Sequence, residues 1–414
     1  MTTDLVIVGA GPAGIAAAIE AISLGLSVTV LDENPTAGGR IWQGADPEGP
    51  ELRMFTRCGL DTRYRAAVWA IEPDGTLFFS QNGTAQSIQA RTILLATGTT
   101  ERPVPIPGWT LPGVMTVGGA QIALKTAGLV PDKGTWIAGQ GPLLLLYTVQ
   151  ALRAGGRPAG VLDMSDPAQR WPALRKIAGF GDIAKGLFWR LEIARAGIPW
   201  IKTRDLRAEG NGKLERIVFG NRTEAADTLL LHDGVIPSVQ LTRALGCAHR
   251  WNDTQQCWEP ETDAWGQTSI PNIYVAGDGA GINGAEAATK AGRTAARAIA
   301  GKRETPPRKP TIRPFLDTLY RHQAMALTDE TLVCRCENVT AGAIREAAAM
   351  GCLGLNQLKA YTRCGMGPCQ GRMCAPTAAE VLAEARNVPV HEIEPLRTRF
   401  PTKPLTVGEL ATLP

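Results

Sequence analysis

Residues 5–33 read LVIVGAGPAGIAAAIEAISLGLSVTVLDE, and this stretch decides the fold. A short apolar strand runs into Gly9, Gly11 and Gly14, a run of small residues follows, and a second β-branched strand ends on Asp32 and Glu33. Strand, glycine turn, helix and strand in that order make a βαβ unit of a parallel sheet. Gly9 permits the tight turn, Gly11 lets the backbone approach a pyrophosphate, and Gly14 lets helix and strand pack closely. The N-terminus of the helix, at Pro12 and Ala13, then faces the phosphate charge. Asp32 lies 32 − 9 = 23 positions after Gly9, where an acid holds an adenosine ribose; a shift of one residue selects Glu33 instead.

Working outward, Gly38, Gly39 and Arg40 close the second strand's turn, and ILLATG (93–98) supplies a further strand ending on Ala96, Thr97 and Gly98. IYVAGD (273–278) ends a strand on Gly277 and Asp278. The last two segments resemble the crossing strand and the second flavin motif of two-dinucleotide flavoproteins, so the first site reads as an FAD site rather than one for NAD or ATP. The plainer role for Asp278 is to cap the helix that follows.

A second unit begins at GTWIAGQG (134–141), continues through the helix PLLLLYTVQALRAGG and ends in RPAGVLDMSD. Gly139 and Gly141 remain, but Leu144 stands where a third glycine would allow close packing. Asp163 follows at 163 − 139 = 24 positions and is suited to a 2′-hydroxyl, with no arginine beside it to favour NADP. We read this unit as vestigial, with NAD binding as the open alternative.

Near the C-terminus, TLVCRCENVT (331–340) and CGMGPCQGRMC (364–374) carry five of the nine cysteines. In an extended segment alternate residues point the same way, so Cys334 and Cys336 are expected to present both sulfurs to one site while Arg335 faces outward. Gly365, Gly367 and Gly371 let the backbone fold closely around Cys369 and Cys374 and turn N–H groups toward the sulfurs. A 2Fe-2S cluster on Cys334, Cys336, Cys369 and Cys374 is the reading, with Cys364 as a substitute ligand. Zinc is the competitor, although its sites more often show Cx2C pairs.

At 414 residues, 44% hydrophobic and 20% charged, the chain has room for two or three domains. A net charge of +4 from 43 basic and 39 acidic residues forms no basic block, which argues against nucleic acid as partner. The cysteine usage points to metal rather than a disulfide framework, hence to the cytoplasm. The strand that opens almost at Met1 leaves no space for a signal peptide, and no apolar run reaches the roughly 20 residues of a membrane span. None of the four histidines has a catalytic setting, and no catalytic residue is assigned.

The expected architecture is α/β: two Rossmann-like, glutathione-reductase-type dinucleotide units plus a small helical 2Fe-2S domain. The boundaries read as 1–113 with 226–305 for the FAD unit and 114–225 for the second unit. A proline-rich linker and helix take 306–328, the cluster domain takes 329–388 with Thr340 as a helix N-cap, and the tail 389–414 is expected to lie on a neighbour.

With GAGPAG, LDENPTAGGRIWQ, LLATGTTERPVPIPGW, GQGPLLLL, LLLHDGVIPSVQLTRALG, VCRCENVT and TRCGMGPCQGRMC in place, the chain resembles the α-type subunits of heteromeric amine and amino-acid dehydrogenases over essentially its whole length. These include D-hydroxyproline and proline dehydrogenases, opine oxidases and hydrogen cyanide synthase, with the sarcosine oxidase α subunit more distant. The cluster domain resembles bacterioferritin-associated ferredoxin, which carries the four ligands onto Cys334, Cys336, Cys369 and Cys374. It departs from that protein in having four residues rather than two between the last pair. The resemblance implies a smaller β subunit with its own FAD that oxidises the amine to an imine, FMN at the subunit junction, and in some complexes a ferredoxin-like γ subunit. It implies that this chain passes electrons on, at the inner membrane only through partners. A self-sufficient NAD(P)H-dependent reductase and a zinc scaffold are the rival readings.

Overall fold

The computed structural model describes residues 3–44, 49–306 and 310–413. Part of the linker, residues 307–309, and the terminal Pro414 lie outside them. The opening strand Thr3–Val8 pairs in parallel with Val28–Asp32 on one side and with Thr84–Leu95 on the other. Thr84–Leu95 serves two structures. Its last residues pair in parallel with Thr3–Val8 and Ile273–Val275, while the antiparallel meander of Ala66–Ile71 and Thr76–Gln81 hangs from its first half.

The first helix, Pro12–Ser23, lies against helix Ala285–Ile299, and both are built from alanine and glycine for a steric reason. A Cβ on Gly292 would fall 2.1 Å from the carbonyl oxygen of Ala13. Small residues therefore let the two backbones nearly touch, and the 2.7 Å pair of Arg297 with Glu20 pins them from the outside.

The second unit is a five-stranded parallel sheet in the order Trp200–Lys202, Gly160–Asp163, Thr135–Gln140, Thr228–Asp233, Val114–Thr116. This moves a boundary. Strand Thr228–Asp233, expected in the FAD unit, pairs along its whole length with Thr135–Gln140 in the middle of the second sheet, so that unit runs to residue 233 rather than 225. The strand's LLLHD reads equally well in either sheet, because both bury it on two faces. An antiparallel sheet of Arg207–Glu209, Arg216–Phe219 and Arg222–Ala225 is inserted before the strand Thr228–Asp233.

The cysteine-bearing unit packs helices Ala341–Ala349, Leu355–Thr362 and Ala375–Arg386 around Ile344, Leu358 and Leu382. Thr340 accepts the N–H of Ala343 as the expected N-cap. Trp109 Nε1 reaches across to the carbonyl of Leu332 at 2.7 Å and ties this unit to the rest.

The tail also departs from expectation. It lies not on a neighbour but back along this chain's first unit, where Phe400, Leu405 and Leu413 cover Trp69 and Ala85. Thr402 donates its N–H to Trp69 at 2.8 Å, and Thr412 accepts the N–H of Ala85 at 2.8 Å. Prolines suit the extended stretch between the short helical turns Val390–Glu392 and Val407–Leu410. Among the described residues no helix is long and apolar enough to cross a membrane.

The helix contact is testable. Gly292→Ala forces a Cβ against backbone that cannot yield cheaply, and should lower stability by about 1–3 kcal/mol with partial loss of bound flavin. Thermal melting and the flavin-to-protein absorbance ratio of the purified variant report both effects, and a variant as stable as the parent contradicts the packing account.

Candidate functional site

A groove of about 260 Å³ opens at the C-terminal ends of the first sheet's parallel strands. The predicted cofactor residues Gly9, Gly11, Pro12, Ala13, Asp32, Glu33, Gly39, Arg40, Ala96, Thr97, Gly98, Gly277 and Asp278 all border it. Gly14 does not; its part is packing, since a Cβ there would fall 1.8 Å from the Gly9 carbonyl oxygen. Gly9, at φ 108°, would meet the Ala96 oxygen at 2.4 Å. By contrast a Cβ on Gly11 has only the Gly39 Cα within reach, at 3.8 Å, so this glycine leaves space for a ligand.

Asp32 holds the turn in shape. Its Oδ2 accepts the Ala10 N–H at 2.5 Å, and its Oδ1 accepts the backbone N–H of Asn34 at 2.7 Å and the side-chain amide at 2.8 Å. A carboxylate offers about four acceptor positions, so one remains for a ribose hydroxyl. Glu33 is instead exposed and paired with Lys403. Asp278 plays the capping part, its Oδ1 accepting the N–H groups of Asn283 at 2.8 Å and Gly284 at 2.9 Å on the approach to helix Ala285–Ile299, and the residue also lines the groove. The long cleft, with glycines at one end and Asp278 at the other, fits FAD. Arg372, Thr402, Lys403, Ser238 and Gln240 also border it, beyond the residues that the sequence points to. They come from the cysteine loop, the tail and the junction after the second sheet, and no local spacing announces them.

The cysteine loop folds into a knot of sulfur. The sulfurs of Cys334, Cys364 and Cys374 lie within 4.8 Å of one another, which brings two predicted ligands together with the substitute. Cys336 and Cys369 sit at the outer edge, hydrogen-bonded to each other. The strand carrying CxC stops at Cys334, and a turn through Asn338 follows, so Cys334 is buried and Cys336 exposed rather than both lying on one extended face. Arg335 is exposed, as expected, and its guanidinium lies over the Trp109 ring at 5.4 Å.

Gly367 is glycine because a Cβ there would stand 2.2 Å from the Cβ of Cys336. Hydrogen bonding from Cys374, together with the backbone N–H groups of Met373 and Gly371, brings the Cys369 thiol down to about 5. Hydrogen bonds to Cys364 and Cys369 push the Cys374 thiol far up. Hydrogen bonds from Cys374 and Cys334 pull the Cys364 thiol down as well, so some of these sulfurs ionise at the expense of others. A cation bound among them would relieve that conflict, and this donor set suits an iron–sulfur cluster.

The second dinucleotide turn is closed by the protein itself. Asp163 accepts the Ser165 N–H at 2.9 Å and the Trp200 indole N–H at 3.3 Å, with Lys202 at 3.9 Å. The His232 ring stands 3.5 Å from where a Cβ of Gly141 would be, and its Nδ1 contacts Glu101 at 2.5 Å. Glu101 in turn accepts the Gly118 N–H at the start of helix Val117–Ala127. Leu144 is buried under its helix. Beside this turn, His322 joins Asp233 at 2.5 Å to Glu380 of the cysteine unit at 2.7 Å, with Arg102 next to Glu380 at 3.7 Å.

Two family models match. One, pyridine nucleotide-disulphide oxidoreductase, covers residues 3–131 and 188–295; the other, the BFD-like [2Fe-2S] binding domain, covers residues 332–384. The chain is 41% identical to the A subunit of opine oxidase from Rhizobium meliloti, over 99% of this chain and 88% of that protein. It belongs to that family of flavin-dependent oxidoreductases. It is also 33% identical to the HcnB subunit of hydrogen cyanide synthase from Pseudomonas aeruginosa, over 99% of this chain and 98% of that one. L-proline dehydrogenase from P. horikoshii shares the fold, with a TM-score of 0.73 at 20% identity over 99% of this chain and 79% of that one. This family member is thus one subunit of a heteromeric flavin oxidase or dehydrogenase, with FAD and a 2Fe-2S cluster as its cofactors.

The His322 bridge yields a pH dependence. Burial and Arg102 work against its charge, but Glu380 and Asp233 outweigh them and lift its pKa to about 9. A folded pKa above the ordinary value near 6.5 contributes stability that is complete below about pH 6.5 and lost as pH rises through 9. Melting curves between pH 6 and 10 should fall over that window in the parent and much less in His322→Gln.

Proposed function

We propose that this chain is the electron-transfer component of a complex whose partner oxidises a secondary amine or amino acid of the opine, proline, D-hydroxyproline or glycine type. The first groove would hold FAD, with Gly11 and the helix N-terminus at Pro12 and Ala13 to receive its pyrophosphate, Asp32 to accept an adenosine hydroxyl and Asp278 to accept from its ribitol. Cys334, Cys336, Cys369 and Cys374 hold the cluster, and Cys364 stays a hydrogen-bonded neighbour. Bound flavin takes electrons in pairs and releases them singly, whereas a 2Fe-2S cluster carries one at a time. The observation that carries this reading is that the groove and the sulfur knot share a wall, built from Arg372 of the cysteine loop and Thr402 and Lys403 of the tail.

The proposed partners are a ferredoxin-like γ subunit plus a smaller, FAD-containing β subunit, in the cytoplasm, with membrane contact only through them. FMN belongs at the junction with the smaller partner. A cavity of about 330 Å³ beside Gly365 and Gln370 supports this, because Lys359, Arg397, Arg399 and Lys403 line it with no carboxylate among the lining residues. Such a site suits a phosphate-bearing ring.

The rival NAD(P)H reductase is disfavoured at the second turn, where the His232 ring stands against Gly141 and Asp163 already accepts from Ser165 and Trp200. Anaerobic mixing of the purified chain with NADH should leave the flavin oxidised; rapid bleaching would favour the reductase. Metal analysis and electron paramagnetic resonance after dithionite should find about two irons and a reduced-cluster signal, and zinc without a signal means a scaffold. Cys334→Ser, Cys336→Ser, Cys369→Ser or Cys374→Ser should abolish that signal, while Cys364→Ser should keep it.

A further inference from the structure

Arg372 belongs to the cysteine loop, yet its side chain borders the flavin groove. Its Nη1 donates to the carbonyl oxygen of Cys369 at 3.1 Å, and its Nη2 donates to the carbonyl oxygen of Thr402 at 2.7 Å. The guanidinium is thus stretched between the backbone of a sulfur-bearing residue and the tail segment that walls the groove. The residue before it, Gly371, turns its N–H toward the Cys369 sulfur, so a dipole meets that residue at its sulfur and a full charge meets it at its carbonyl oxygen.

We propose that Arg372 is a positioning residue that makes the cluster easier to reduce and links its reduction to the flavin. This deepens the reading above and rests on flavin and cluster occupying the two sites. When the reduced flavin gives up one electron, one of the cluster's two ferric ions becomes ferrous and the cluster gains one negative charge. The second electron follows once a one-electron acceptor, ferricyanide in the assay, has reoxidised the iron. A fixed positive charge beside the cluster stabilises the reduced state, and more so away from bulk water.

Three features suit Arg372 to this. Both of its hydrogen bonds go to carbonyl oxygens, which orient the guanidinium without cancelling its charge. The group is largely withdrawn from solvent, and burial pulls its pKa down while the Cys369 sulfur holds it up. Arginine nevertheless stays protonated at any working pH, so the charge is permanent. Lysine would retain the charge but not both contacts.

The test is a redox titration of the full chain, with the cluster followed by electron paramagnetic resonance, for the parent, Arg372→Gln and Arg372→Lys. We expect Arg372→Gln to lower the cluster's reduction equilibrium constant at least tenfold, which is about 59 mV for a one-electron couple. Arg372→Lys should recover most of that change. A glutamine variant with full iron and flavin whose equilibrium stays within twofold of the parent overturns the proposal. So does a lysine variant shifted as far as the glutamine one, because charge would then not be the cause. Should Arg372→Gln lose its iron, the parent is titrated with and without FAD: a link through Arg372 requires the cluster equilibrium to respond to flavin, and no response overturns it. A parent chain without iron would instead sink the underlying reading, so the two failures are distinguishable.

Discussion

The molecule depends on how closely backbone is allowed to approach backbone around the first glycine turn. Gly9 sits on the Ala96 carbonyl, Gly14 on the Gly9 carbonyl and Gly292 on the Ala13 carbonyl, each with less space than a single Cβ requires. These three contacts set the height of the helix N-terminus above the sheet and so the shape of the flavin groove. Asp32 completes the arrangement from inside by holding the Ala10 N–H. Only then does Gly11, the glycine with open space before it, face a ligand.

Among the long-range links that hold the cysteine unit to the rest of the chain, three differ in kind. Trp109 donates a neutral hydrogen bond to Leu332, His322 makes a buried charged bridge between Asp233 and Glu380, and Arg372 reaches the tail at Thr402. The charged bridge is costly to desolvate and is better understood as fixing orientation than as a large source of stability. It lies beside the second dinucleotide turn, since Asp233 pairs with Gln140 at the end of that strand. His232 and Glu101 pack against the same turn at Gly141.

Much of the groove was legible because its parts are local. A tight turn, a close approach and a helix start each leave a residue-level mark, and Gly9, Gly11, Gly14 and Asp32 stand at the spacings those needs impose. The sulfur knot was legible in content but not in arrangement: cysteine and glycine in one loop announce a metal, yet the order of the five sulfurs depends on where the CxC strand ends. Strand Thr228–Asp233 was misplaced because a strand buried on both faces carries no sign of which sheet it joins.

The sequence by itself determined the parallel α/β frame, the flavin turn and a thiol-rich metal unit, since these rest on contacts among near neighbours along the chain. Only the tertiary structure decided that Arg372, Thr402 and Lys403 wall the flavin groove, that the tail folds back on its own first unit, and that Asp163 meets the Trp200 indole. Those facts come from residues brought together over tens to hundreds of positions. Nothing in the local pattern of charge or polarity says which of many compatible partners a side chain will meet.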